Sequence, residues 1–366
     1  MAETDSIYDC LVVGGGLLGL LSARLLREAG FSVAVLERGE FCREASWAGG
    51  GILSPLVPWQ YPEAVSVLAA WSQPRYPRLA AALLEETGTD IEWRRSGLLM
   101  AGTAVTADIR AWARRFRCRL EAIDRERLGA IEPGLGDGFD ASLLLPDVAQ
   151  VRNPRLCRAL RESLQRQGVA LHAHTRVTGL QIHSGTIQGV STPRGDFGAR
   201  RVVIAGGAWS PRILQTAGLA LAVEPVRGQM IQFGARPGLV RHILLQGGHY
   251  LIPRKDGLVL AGSTMEYSGY DKSTTAGARE ALSEWATRLV PALSGCEIVR
   301  QWAGLRPGSG DGVPVIGGHP AVRGLYLNTG HFRNGVVMAP ASARLLVDCM
   351  LGRDSFTAVK PYIPRV

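Results

Sequence analysis

Residues 7–13, IYDCLVV, form a short, mostly apolar run ending in two valines. That is the pattern of a strand buried on both faces of a parallel sheet. Residues 17–29 then place Leu18, Leu21, Leu25 and Leu26 at helical spacing on one face, and Gly30 stops the helix. Residues 32–36, SVAVL, read as a second strand ending on Glu37. Further on, Asn153 reads as an N-cap with Pro154 at the first helical position, opening a helix to Gln167. Two strands follow within VALHAHTRVTGLQI, with Val177 in the second, and residues 202–205 form another buried strand before Gly206, Gly207 and Trp209. The pattern then changes. VEPVRGQMIQF and GHYLIPRKDGLVLAGSTMEY alternate and carry β-branched residues, with Lys255-Asp256-Gly257 as a hairpin turn. The chain returns to glycine turns, a strand and a long helix starting near Gly335, which Pro340 should kink. The predicted fold class is α/β: a doubly wound, Rossmann-type domain carrying an inserted α+β, antiparallel-sheet domain. Residues 1–92, 146–222 and 300–366 are assigned to the first and 93–145 and 223–299 to the second.

Composition adds bounds. The chain has 366 residues, enough for two domains with real cores. Its 45 glycines and 20 prolines are spread along the whole length, without repeats. The charge is 41 − 32 = +9. The basic residues are interleaved with acids, as in RRFRCRLEAIDRERLGAIE, so they read as a solvated surface and no nucleic-acid partner is expected. The six cysteines show no CxxC and read as reduced thiols; no histidine, cysteine or carboxylate set has metal-ligand spacing. The start, MAETDSIYDC, is acidic and polar, unlike a signal peptide, and no apolar run reaches the 18 or so residues a membrane span needs. A cytoplasmic protein without a membrane span is expected.

Gly14, Gly16 and Gly19 form G-x-G-x-x-G between a strand and a helix, with Glu37 about 20 residues on. The first glycine permits the turn. The second lets backbone amides at the first helical turn, around Leu17 and Leu18, approach a pyrophosphate. The third lets helix and strand pack closely. Glu37 would accept hydrogen bonds from an adenosine ribose, beside Arg38, and would repel a 2′-phosphate. The fingerprint's place at the extreme N-terminus favours FAD over NAD. A second cluster, EASWAGGGILSP, offers Ser46, Ala48, Gly49, Gly50 and Gly51 on a loop poor in side chains, against which a flat ring can lie, and Ile52 on its substrate side. Val177, Ala205, Gly206 and Trp209 belong to turns facing the same ligand.

Several stretches in order, VVGGGLLGL, ASWAGGGILSP, GGAWS, PVRGQM, YLIPRKDG, AGLRPGSGDGVPVIG and GHFRNGVVMAP, resemble the FAD-dependent amine and amino-acid oxidases, a family that includes D-amino-acid, sarcosine and glycine oxidases. The resemblance is strongest to the glycine oxidases of bacterial thiamine biosynthesis. It implies a D-amino-acid-oxidase-like fold and non-covalent FAD, since no cysteine stands in Gly304–Asp311, where covalent sarcosine oxidases tether their flavin. It implies that a small amino acid or amine is oxidised at FAD and that dioxygen becomes hydrogen peroxide. Arg306 would grip the substrate carboxylate with its planar fork, Tyr250 would hydrogen-bond the same group, and Arg333 would lie nearby. Met265 would line the substrate cavity. His331, Phe332, Arg333, Asn334, Gly335 and Val336 would meet the flavin at the N-terminus of the last helix, whose positive end suits reduced flavin. The resemblance also suggests a homo-oligomer.

Two alternative readings keep the fold. A quinone-linked D-amino-acid dehydrogenase predicts weak oxygen reactivity and membrane association, for which no amphipathic anchor is visible. A tRNA-modifying FAD oxidoreductase acting on a carboxymethylamino group is motivated by the +9 charge, but no stacking aromatic platform or RNA-binding module accompanies it.

Overall fold

The computed structural model describes residues 7–364; residues 1–6 and 365–366, which the first domain's expected boundaries include, lie outside the described residues. A six-stranded sheet runs in the order Val315–Gly318, Leu325–Thr329, Val202–Ile204, Cys10–Val13, Val33–Leu36, Ala170–His172. All of its pairings are parallel except the first, an antiparallel one. Cys10–Val13 is central and fully buried because helices, among them Leu17–Glu28, pack on one face, and the antiparallel strands Gly179–His183, Thr186–Thr192 and Gly195–Gly198 pack on the other. Its neighbours in space, Val33–Leu36 and Val202–Ile204, leave the strand order on opposite sides. The turns after Val13 and Ile204 therefore meet at the carboxyl edge, where a doubly wound sheet opens a crevice.

The helix Leu17–Glu28 ends as its glycine signal requires, with Gly30 at φ +89°. The helix Asn153–Arg166 departs from expectation: Arg152 is the N-cap and Asn153 already lies inside. The Asn153 amide instead donates to Gly49 O at 2.9 Å, tying this helix to the second glycine cluster. Val177 also departs. It sits in the connection between the strands Ala170–His172 and Gly179–His183, not in a strand.

The last helix, Gly335–Leu351, runs through Pro340. Proline cannot donate to the carbonyl four residues back, which belongs to Val336. The buried Tyr76 hydroxyl donates to Val336 O instead, and Ser72 Oγ accepts from Ala341 N at 3.0 Å. The interruption is thus satisfied by the segment Ser72–Tyr76.

The second sheet has eight strands, in the order Glu297–Ser309, Val223–Gly234, Leu258–Gly262, His249–Pro253, Ile243–Gln246, Leu98–Ala101, Ala141–Leu145, Glu121–Asp124. It is antiparallel except where Ile243–Gln246 meets Leu98–Ala101. The Lys-Asp-Gly signal does turn a hairpin, with Gly257 at φ +90° between His249–Pro253 and Leu258–Gly262. The helix Ala276–Leu289 packs Leu282, Trp285, Ala286 and Leu289 against one face. The long pair Val223–Gly234 and Glu297–Ser309 registers Val226 with Arg306 and Gly228 with Gly304. This ribbon carries the second sheet to the crevice of the first.

Candidate active site

One elongated cavity of about 660 Å³ runs from the glycine turn of the first sheet to the inner face of the second. At the nucleotide end, Gly14 has φ +116°, and a Cβ there would lie 2.4 Å from Ala205 O. Only glycine allows the two turns to approach so closely. Gly16 lines the cavity, and Leu17 N donates to Ser46 Oγ at 2.9 Å, so Ser46 anchors the second glycine loop to the helix N-terminus. Gly19 does not line the cavity, in keeping with the packing role expected of the third glycine. A Cβ there would meet Gly14 O at 1.9 Å, so its work is close packing of helix against turn. Glu37 lines the cavity with its carboxylate fixed by backbone amides: Gly15 N at 2.8 Å and Gly39 N at 3.1 Å. Arg38 also lines it, ion-paired to Glu44 at 2.6 Å and stacked on the Trp209 ring at 3.6 Å. Val177, Ala205, Gly206 and Trp209 line the same end, and so do Leu17 and Leu18.

At the other end, Ala48, Gly49, Gly50, Gly51 and Ile52 face Tyr250 and Arg306 across the cavity, and His331, Phe332, Arg333, Gly335 and Val336 close it. Asn334 is buried but outside the lining; its backbone N accepts its place in the turn by donating to His331 O at 3.0 Å. Met265 is also outside. It is 53% exposed on the surface, because the loop after Gly262 turns its side chain away from the cavity. The methionine that does line the cavity is Met230, on the ribbon, 3.8 Å from the Tyr250 hydroxyl.

Arg306 carries the electrostatics. Its Nη2 donates to Ser263 Oγ at 2.7 Å, and its Nη1 to Thr264 O at 3.2 Å and more distantly to Arg227 O at 3.4 Å. All these acceptors are neutral; the neighbouring carboxylates Glu266 and Asp271 pair with Arg227 instead. Burial pushes its pKa down, opposed first by the nearby Tyr250. A desolvated cation with hydrogen bonds but no counter-ion is a receptor for an anion. The guanidinium lies flat over Gly228, where a Cβ would be 2.1 Å from Nη2. Arg333 donates to Gly248 O at 3.2 Å, adding a second cation to this end. His331 is fully buried against Ser342 Oγ at 2.9 Å, and burial lowers its pKa to about 3, so it is neutral at ordinary pH.

Sequence reading missed Gly228, Ser263, Met230 and, at the nucleotide end, Arg212 and Thr216, which all line the cavity. A glycine inside an alternating strand signals close approach of another group, so Gly228 was findable. Ser263 was not, because its partner lies 43 residues away.

The cavity fits FAD by its own geometry. Glycines 14 and 16 leave a backbone cradle that side chains would fill, a fixed carboxylate stands one strand away, and a long space leads to a side-chain-poor wall at Gly49–Gly51. No helix of the described residues is long and apolar enough to cross a membrane, and no group of three metal-binding side chains occurs among them.

Comparison with known proteins agrees. The chain is 48% identical to a glycine oxidase of Pseudomonas aeruginosa over 97% of its own length and 98% of the relative's. It is 31% identical to the bifunctional protein ThiO/ThiG of Synechocystis over 98% of its own length, but it spans only 54% of that protein. It superposes on the crystal structure of glycine oxidase from Geobacillus kaustophilus with a TM-score of 0.93 and 30% identity, covering 98% of each chain. Residues 9–349 match the DAO family, described as FAD dependent oxidoreductase, and the chain therefore belongs to that family.

Proposed function

We propose that this chain is a glycine-type amino-acid oxidase, which takes glycine and other small primary or secondary amines such as sarcosine and small D-amino acids. When bound, FAD would supply the redox chemistry, two-electron oxidation of the substrate amine coupled to reduction of dioxygen to hydrogen peroxide. Gly14, Gly16, Glu37, Ser46 and Gly49–Gly51 would hold it. The protein's own task is placement. Arg306 binds the substrate carboxylate in its two-pronged fork, and Tyr250, buried at 8% exposure beside it, donates a hydrogen bond to the same group. Fixed at that end, a two-carbon amino acid presents its Cα toward the Gly50–Ile52 wall. Gly50 is small by necessity, since a Cβ there would meet Ile252 at 2.4 Å and the Tyr250 ring at 3.3 Å. The crowded wall favours small substrates.

The observation that carries this reading is Arg306, a half-buried guanidinium that lines the cavity and bonds only neutral acceptors. The product imine either hydrolyses to an α-keto acid and ammonia or feeds a thiazole-forming reaction of thiamine synthesis. The likeness to a bifunctional ThiO/ThiG protein supports that context, and the glycine oxidase relatives favour it over the quinone-linked and tRNA-modifying alternatives. The two-domain division made from sequence, a cytoplasmic location and self-association belong to the same proposal. Steady-state oxidation of glycine, sarcosine, D-alanine and D-proline, with peroxide as readout, tests it. Turnover of none of them would refute it.

A further inference from the structure

A second cavity, of about 350 Å³, lies behind the wall of the first, and Gly49 lines both. Trp47, Trp302, Leu260 and Val299 give it an apolar side. The two indoles meet edge to face with centroids 5.9 Å apart, and Trp302 Nε1 donates to Ala48 O at 2.9 Å. Three guanidinium groups, from Arg152, Arg254 and Arg300, line the rest. Their charges are not equally balanced. Arg152 is paired with Asp256 at 2.7 Å and Glu92 at 3.1 Å. Arg300 is exposed, with its guanidinium 5.8 Å from the Trp47 ring. Arg254 is only 6% exposed, yet all its bonds go to neutral acceptors. Its Nη1 donates to Gln150 Oε1 at 2.7 Å and Val151 O at 3.0 Å, and its Nη2 to Gly50 O at 2.7 Å. These three bonds leave two of the five guanidinium N–H donors for another acceptor. Carbonyls satisfy hydrogen bonds but not charge; the nearby carboxylates Glu92 and Asp256 are already held by Arg152, and Arg94 adds a further positive charge, so this buried cation calls for an anion.

We propose that this cavity is a binding site for a small anion carrying an apolar ring, an aryl phosphate or aryl carboxylate. Arg254 and Arg300 hold the anionic head, and Trp47, Trp302 and Leu260 pack the ring. The volume sits at the lower end for small-molecule sites. Because Gly49 is a wall of both cavities and Arg254 fixes Gly50 O, an occupant alters the loop on which Gly50 faces Tyr250.

The test titrates the FAD-loaded enzyme with phenyl phosphate, benzoate and inorganic phosphate, following tryptophan fluorescence and the flavin absorption band. Each titration is repeated with the first cavity saturated by glycolate, a carboxylate of glycine's size without the amine. At least one aryl acid should saturate without competition from glycolate and shift the flavin band. Arg300→Glu should weaken it about tenfold or more while leaving glycine turnover unchanged, and inorganic phosphate should bind at least tenfold more weakly. The proposal is overturned if neither aryl acid saturates, if glycolate displaces every probe that does, if Arg300→Glu leaves the affinity unchanged, or if inorganic phosphate binds as well as the aryl acids.

Discussion

Gly228→Ala tests the Arg306 grip without touching the arginine. Gly228 lies in the strand Val223–Gly234 with no left-handed backbone requirement, so alanine is tolerated by the main chain. The new Cβ, however, would stand 2.1 Å from Arg306 Nη2 and 2.4 Å from both Cζ and Nη1, where ordinary contact begins at 3.4 Å. The guanidinium must therefore move by about 3.4 − 2.1 ≈ 1.3 Å. A two-pronged clamp does not survive such a shift, because each hydrogen bond tolerates only a few tenths of an ångström. Losing one charge-assisted bond costs about 1.5–3 kcal/mol, or roughly 10- to 150-fold in kcat/KM. Most of the loss should fall on KM, since the carboxylate is gripped in ground and transition states alike. The assay is peroxide formation at varied glycine, with FAD affinity measured in parallel. Unchanged KM, or an equal loss of FAD binding, would refute the placement of Arg306 as the carboxylate receptor.

Four further outcomes follow from particular contacts. Glu37→Gln weakens the bonds from Gly15 N and Gly39 N and any to a ribose, so flavin release on dilution should show FAD bound about 10-fold more weakly or worse. Tyr76→Phe leaves Val336 O unsatisfied beside Pro340, and urea titration should show about 1–3 kcal/mol lost. Met265→Ala should leave glycine kinetics within about twofold and stability within about 0.5 kcal/mol, as its exposed side chain is outside the cavity. His331 has a folded pKa of about 3 against 6.5 for the free side chain. The unfolded chain therefore binds an extra proton between those values, and stability falls by about 1.4 kcal/mol per pH unit as pH drops below 6.5. Urea titrations at pH 7.5 and 5.0 should show a shallower fall in His331→Asn than in the native chain.

The parts legible in the sequence are those fixed by local chemistry. Gly14 and Gly30 announce turns that only glycine makes, and Lys255-Asp256-Gly257 announces its hairpin, because each conformation depends on its own residues. Arg306 and Tyr250 were singled out because they sit in stretches that resemble a family, and both line the cavity. What was missed depends on partners far along the chain. Asn153 looks like a cap but serves Gly49, 104 residues away. Pro340 interrupts the ladder of the last helix, and nothing near it reveals that Tyr76 and Ser72 take up the freed backbone groups. Met265 and Met230 are equally plausible cavity residues by composition, and only the pairing of the ribbon with its neighbours decides which one faces inward.

If the cavity brings an amino-acid Cα to FAD and then admits dioxygen, the flavin must be reduced by glycine and reoxidised by air. Anaerobic mixing of the yellow holoenzyme with glycine, following the oxidised-flavin band near about 450 nm and then admitting air, measures both halves at once. Glycine should bleach the band, air should restore it promptly with one peroxide per flavin reoxidised, and the Arg306→Ala variant should bleach only at much higher glycine. A band that glycine does not bleach, or one that bleaches and does not return in air, would contradict that role of the cavity.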